Sequence, residues 1–161
     1  MYAMAYALQP LLKIRLMRED RASGELTAAR RAVAAAQDAL EAREKDLAAY
    51  NETKEDRRDR IYAAIIGQAV SRDRIDIAQE GIARIDQEGA IKADNVAQAK
   101  QDLKKREEAA ETARSLFVLA TKNRMKIDEH KAVWVAEEKK ENEFRAEIEL
   151  EDFTGRKQDD D

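Results

Sequence analysis

Ile65-Ile66-Gly67-Gln68-Ala69-Val70-Ser71-Arg72-Asp73-Arg74 lies near the middle of a chain that otherwise reads as helix throughout, and its reading decides the fold. Gly67 can take the left-handed backbone conformation that closes a helix. Ser71 is a favourable N-cap, and Asp73 adds negative charge to the first turn of a following helix. These signals predict a stop and a restart, so that two helical arms fold back on each other. The spacing of apolar residues runs through Gln68 and Ser71 without a slip. Phase alone therefore also permits one continuous helix, or a turn nearer Gly81 to Gly89.

Outward from this segment, apolar residues recur at alternating steps of three and four. The first arm gives Leu8, Leu12, Arg15, Glu19, Ala22, Leu26, Ala29, Val33, Ala36, Leu40, Arg43, Leu47, Tyr50, Lys54, Arg57, Ile61 and Ala64. The second runs from Ile75 through Ala78, Ile82, Ile85, Gly89, Lys92, Val96, Ala99, Leu103, Arg106, Ala110, Ala113, Phe117, Ala120, Arg124, Ile127 and Lys131 to Trp134. Most positions are apolar, which is the heptad seam of a coiled coil. The fold class expected is all-α, an antiparallel two-helix coiled-coil hairpin. Residues 1–161 form one elongated unit in this reading: helix 1 over about 8–66, a turn at about 67–71, helix 2 over about 72–154 and a tail at 155–161. A turn at Gly67 sets Leu47 opposite Lys92 and Val96, and Leu12 opposite Ile127. The seam fades after Trp134, leaving Phe144, Ile148 and Phe153 as a thin apolar stripe beyond the paired arms. Pro10 fits only in the first helical turn, where its missing N–H is harmless. Thr154-Gly155 is the expected helix stop.

Composition agrees with this reading. The chain has 161 residues, 40% of them charged, 5% aromatic, and a single proline. A globular core of that length needs more large apolar groups, whereas regularly spaced Ala, Leu, Glu, Lys and Arg build long helices. The net charge is −4 with both signs interspersed, and no basic face is clustered for a phosphate backbone. Arg57, Arg58 and Arg60 are hemmed in by Asp56 and Asp59 and read as a solvated helix face. With no cysteine there is neither a disulfide framework nor a thiolate metal site. No apolar run approaches the roughly 20 residues of a membrane span. The mildly apolar start has its basic residues after it, not before, and does not read as a cleaved leader. The cytoplasm is the expected location.

Catalytic chemistry has no candidate. His130 is the single histidine and reads as a seam-edge residue. No glycine-rich phosphate loop and no His-x-x-x-His pair occur, so the expectation is a non-enzyme with no cofactor and no metal. Two apolar clusters exceed what a two-stranded seam requires. One surrounds the turn, with Ile65, Ile66, Val70, Ile75 and Ile77. The other joins Leu8, Leu11, Leu12, Ile14 and Leu16 to Trp134, Phe144, Ile148 and Phe153, with Arg15 and Arg18 as a polar rim. Each reads either as local packing or as a partner-docking surface, since large aromatics anchor interfaces.

Leu11-Leu12-Lys13-Ile14-Arg15 followed by Arg18-Glu19-Asp20-Arg21 resembles the opening of the YscO family of type III secretion proteins. Ala42-Arg43-Glu44-Lys45-Asp46-Leu47, Ile66-Gly67-Gln68-Ala69-Val70-Ser71, Trp134-x-x-Glu137-Glu138 and Glu151-Asp152-Phe153 extend the resemblance over nearly the whole chain. Gln68-Ala69 stands where the family's turn more usually carries a basic-proline step. The resemblance implies a FliJ-like stalk, a monomer at the cytoplasmic face of the secretion apparatus, whose own export is left open. Its implied partners are the export ATPase hexamer, the membrane export gate protein and, for some members, export chaperones. Nucleic acid binding and membrane insertion are not implied. Carried over, Leu11, Leu12, Arg15, Arg18 and Trp134 would enter the ATPase ring, and Ile65, Ile66, Val70 and Ile75 would reach the gate. The residues alone leave room for a generic coiled-coil spacer, a homodimeric rod with one continuous helix, or a helical holdase.

Overall fold

The computed structural model describes residues 5–156, with side chains through Asp152. The Phe153 side chain and residues 157–161 of the expected tail lie outside the described residues. Among the described residues two helices account for the architecture: α1, Gln9–Ala63, and α2, Arg72–Arg156. They pair antiparallel as a helical hairpin.

Each helix end follows from local hydrogen bonding. At the start, Gln9 N–H donates to the Tyr6 carbonyl at 3.0 Å and Leu12 N–H to that of Leu8 at 2.9 Å. Pro10 falls inside the first turn, where a backbone donor has no helical acceptor. At the far end of α1, the N–H groups of Ile65 and Ile66 both reach the Tyr62 carbonyl, at 3.0 and 2.9 Å. Gly67 then turns left-handed with φ of 76° and breaks the ladder. No other described residue with a side chain has positive φ. Ser71 opens α2: its carbonyl accepts from Arg74 and Ile75 at 3.1 and 3.3 Å, and Asp73 sits in the first turn. Gly81 and Gly89 lie within α2, so the fold-back falls at 64–71 and not at the later glycines. α2 also runs through Thr154 and Gly155 to Arg156. Glycine lowers helix propensity by about 1 kcal/mol but ends a helix only when it leaves the helical conformation.

The contacts divide into two compact units, Leu26–Ala113 and the segments that flank it. In the unit Leu26–Ala113, the buried side chains are Leu26, Ala36, Tyr50, Ala78, Ile85 and Val96, all seam positions. Salt bridges flank this seam in antiparallel order: Glu44 with Lys100 at 3.3 Å, Asp46 with Lys92 at 2.6 Å, and Arg57 with Glu88 at 2.9 Å. Asp86 takes both Lys54 and Arg58, at 3.8 and 3.6 Å. Exposed pairs of this kind contribute at most about 1 kcal/mol each, so they select register more than they supply stability. Tyr50 is the buried aromatic of this seam. Its ring lies against Gly89, its hydroxyl donates to the Ile85 carbonyl, and the Arg57 and Lys92 cations stand 5.6 and 5.8 Å from its centroid.

In the other unit, Leu12 and Ala22 are buried between the helices and Tyr6 is buried ahead of α1. Two polar seam positions meet here: Arg124 donates to Glu19 across the pair and to Asp128 one turn along its own helix. Both carboxylates raise the Arg124 pKa above its ordinary value, chiefly through the hydrogen bond that Arg124 donates to Glu19.

Candidate docking surfaces

At the turn, the sequence crowds six large apolar residues into a segment whose seam needs few of them. Ile65 and Val70 are half-buried, while Tyr62, Ile66, Ile75 and Ile77 are exposed, Ile66 by 71% and Ile77 by 67%. Helical spacing sends Ile77, Gly81 and Arg84 to one face of α2 and Ile75, Gln79, Ile82 and Asp86 to the opposite one. A groove of about 490 Å³ lies on the first face, walled by Arg60, Ile61, Ala64 and Ile65 from the α1 side. A second groove of about 370 Å³ lies on the other face, bounded by Tyr62, Ile65, Ile75, Ile82 and Asp86. The turn residues Ile65, Ile66, Val70 and Ile75 are thus brought together at one end of their unit.

In the unit that carries the start of α1, the expected residues separate. Leu12 is a packing residue, only 5% exposed, and cannot double as an outward docking contact. Leu11 and Arg15 are half-buried, and Arg18, Ile14, Leu16 and Met17 are exposed. Trp134 is half-buried because Tyr6 covers it, with ring centroids 5.3 Å apart at 47°. The Tyr6 hydroxyl lies 2.9 Å from His130 Nδ1 and 3.5 Å from the Ile127 carbonyl. Every residue from 139 to 152 is exposed, with Phe144 at 62% and Ile148 at 42%. Phe144 and Ile148 therefore stand on a helical segment that α1 does not cover.

Tyr6 is the residue that periodicity missed. It precedes α1 and lies off the heptad series, so no helical spacing could place it. The signal available was an aromatic residue just ahead of Pro10 with a matching aromatic, Trp134, at the far limit of the seam.

The first groove joins isoleucine and alanine side chains to Arg60, Arg74, Glu80 and Arg84, and the second joins Tyr62 and isoleucines to Gln79 and Asp86. Among the described residues no group of three or more His, Asp or Glu is placed to hold a metal ion. No helix among them is long and apolar enough to cross a membrane.

The polar-flanked seam and the exposed apolar clusters define the class as a helical-hairpin protein. The model of the type III secretion protein YscO family matches residues 8–156, and the chain belongs to that family. This is a family of secretion-apparatus proteins and not a known enzyme family. The fold is similar to the crystal structure of type III secretion protein YscO from Vibrio parahaemolyticus, with a TM-score of 0.84, 23% identity, and coverage of 91% of this chain and 92% of that one. It is also similar to a putative YscO homolog from Chlamydia trachomatis, with a TM-score of 0.72, 24% identity, and coverage of 95% and 93%. No curated protein gives a significant match.

Proposed function

We propose that this chain is the non-catalytic stalk of a type III secretion apparatus, linking the export ATPase to the membrane export gate at the cytoplasmic face. The observation that supports this most is the combination of YscO family membership with large apolar side chains left exposed in both units of the hairpin. A stalk needs such surfaces, because apolar side chains that the seam leaves in water gain free energy only on meeting a partner. In this reading Leu11, Ile14, Arg15, Arg18 and the Tyr6–Trp134 pair meet the ATPase ring, and Ile65, Ile66, Val70 and Ile75 meet the gate. The uncovered segment with Phe144 and Ile148 offers a further surface, suited to an export chaperone.

The test is the rate of ATP hydrolysis by the cognate hexamer with and without this protein. Added full-length chain should raise the rate, and Ile14→Ser with Arg18→Glu should lower the gain without loss of helicity. An unchanged rate together with no co-purification of the two would refute the assignment.

A further inference from the structure

The larger groove at the turn carries a charge pattern that the groove on the opposite face does not share. Its floor is apolar, made by Ile61, Ala64, Ile65, Ile77 and Ala78, and it is deepened at Gly81, where a Cβ would stand 3.1 Å from Ile61 Cδ1. Its volume of about 490 Å³ is within the range of sites that seat several apolar groups. The rim is basic. Arg74 and Arg84 lie at the two ends of the groove's α2 wall, and Arg60 lines it from α1. Arg84 has Glu80 beside it at 3.8 Å, whereas Arg60 and Arg74 form no ion pair among the described residues. The neighbouring Arg57 and Arg58 are different, since Glu88, Asp86 and Glu55 already neutralise them.

Arg60 and Arg74 thus border an apolar trough with no carboxylate among the described residues in an ion pair with either. The guanidinium fork is matched to carboxylates, and pairs of this kind gain when the surrounding surface is apolar. The groove on the opposite face lacks this pattern: its charged wall residue is Asp86, which Lys54 and Arg58 already hold. Charge therefore distinguishes one face of the turn from the other.

The dimensions indicate what would fit. Arg74 to Arg84 spans about 15 Å along α2 at 1.5 Å per residue, which is about three turns of a second helix. A helix laid in such a trough presents apolar residues at i, i+3, i+4 and i+7 and places its flanking positions against the rim. We propose that this groove is a docking site for an acidic amphipathic helical segment of a partner protein, with its apolar stripe on Ile61, Ile65 and Ile77 and its carboxylates on Arg60 and Arg74. The assignment rests on the groove itself and holds whether or not the chain stimulates an ATPase.

The experiment uses the full chain and two dye-labelled synthetic helices of about four turns each. Both carry leucine at the i, i+3, i+4 and i+7 positions; one has glutamate and the other lysine at the flanking positions. Fluorescence anisotropy should show the glutamate helix binding at low ionic strength, more weakly as salt rises, and about tenfold or more tighter than its lysine twin. The double variant Arg60→Glu/Arg74→Glu should lose about tenfold or more in affinity. Ile77→Ser should weaken binding too, with unchanged helicity by circular dichroism, since this side chain is largely outside the seam. Arg31→Glu, on an exposed part of α1 outside the groove, should bind as the wild type does. Equal binding of the two helices, binding of neither, or indifference to the Arg60/Arg74 change would overturn the proposal. Self-association of the chain that disappears in Arg60→Glu/Arg74→Glu would overturn it in favour of a second copy as the occupant.

Discussion

Gly89→Ala sets two effects of known size against each other. Inside an exposed helix the change gains about 0.8–1 kcal/mol, because alanine loses less backbone entropy. At Gly89, however, the new Cβ would stand 2.9 Å from Tyr50 Cε1 and 3.6 Å from its Cζ. The ring is not free to retreat. It is buried, its hydroxyl is tied to the Ile85 carbonyl, and Arg57 and Lys92 approach it at 5.6 and 5.8 Å. Displacing it costs about 1–3 kcal/mol for overpacking and about 1 kcal/mol for the hydrogen bond. The steric terms win, and the expected net loss is about 1–3 kcal/mol. Gly24, with nothing within 4 Å of its added Cβ, is the control, and Gly24→Ala should gain about 0.5–1 kcal/mol. Urea denaturation followed by far-ultraviolet circular dichroism reads both, with unchanged slope as the check that only stability has moved. A Tyr50→Leu background should reverse the sign at Gly89. Equal stabilisation by the two alanines in the wild-type chain would refute the wedged ring.

Three further outcomes follow from other contacts. Tyr6→Ala should uncover Trp134, the single tryptophan, and shift its fluorescence emission to the red while helicity is kept. Arg124→Met should lower the urea midpoint more than Glu19→Gln does, because it leaves the Glu19 carboxylate, 18% exposed, without its cation; the double variant should recover most of that difference. The hydrogen bond and charge of Lys45 hold the Glu41 carboxyl below its ordinary pKa, and Glu41 in turn raises the Lys45 ammonium. That pair's contribution is complete near neutrality, fades as pH falls through the lowered Glu41 value, and on the alkaline side fades as pH rises through the raised Lys45 value. NMR titration should place Glu41 below a free glutamate, and Lys45→Met should return it upward.

Much of the fold was legible because heptad spacing is a direct record of which side chains face a partner helix. Ala22, Leu26, Ala36, Tyr50, Ala78, Ile85 and Val96 are seam positions and are buried. The register was also readable: Leu47 was expected opposite Lys92, and Lys92 reaches Asp46, the adjacent residue. Even the polar interruptions had meaning, since Glu19 and Arg124 are seam positions that satisfy each other. The fold-back was harder to read, because phase is continuous across it and only Gly67 and Ser71 carried the signal. The docking surfaces were the least legible. Composition marks which apolar residues are surplus to the seam, but not which are covered. Leu12 packs inward, and Trp134 is covered by a tyrosine that no periodic pattern includes. The basic rim of the turn groove was hidden for a similar reason. Arg57, Arg58 and Arg60 are one run in sequence, yet only Arg60 is left without a carboxylate.

The fit of Tyr50 over Gly89 has a mechanical consequence. Along a seam built of aliphatic residues, sliding one helix past the other by a heptad would break the flanking ion pairs but replace most apolar contacts with similar ones. At Tyr50 it would not. A shift of seven residues would drive the ring onto Ile82 or Val96, where no vacancy receives it. The tyrosine and glycine therefore act as a key in a keyway: a load that pulls the two helices of this unit past each other must first lift the ring out of the notch at Gly89.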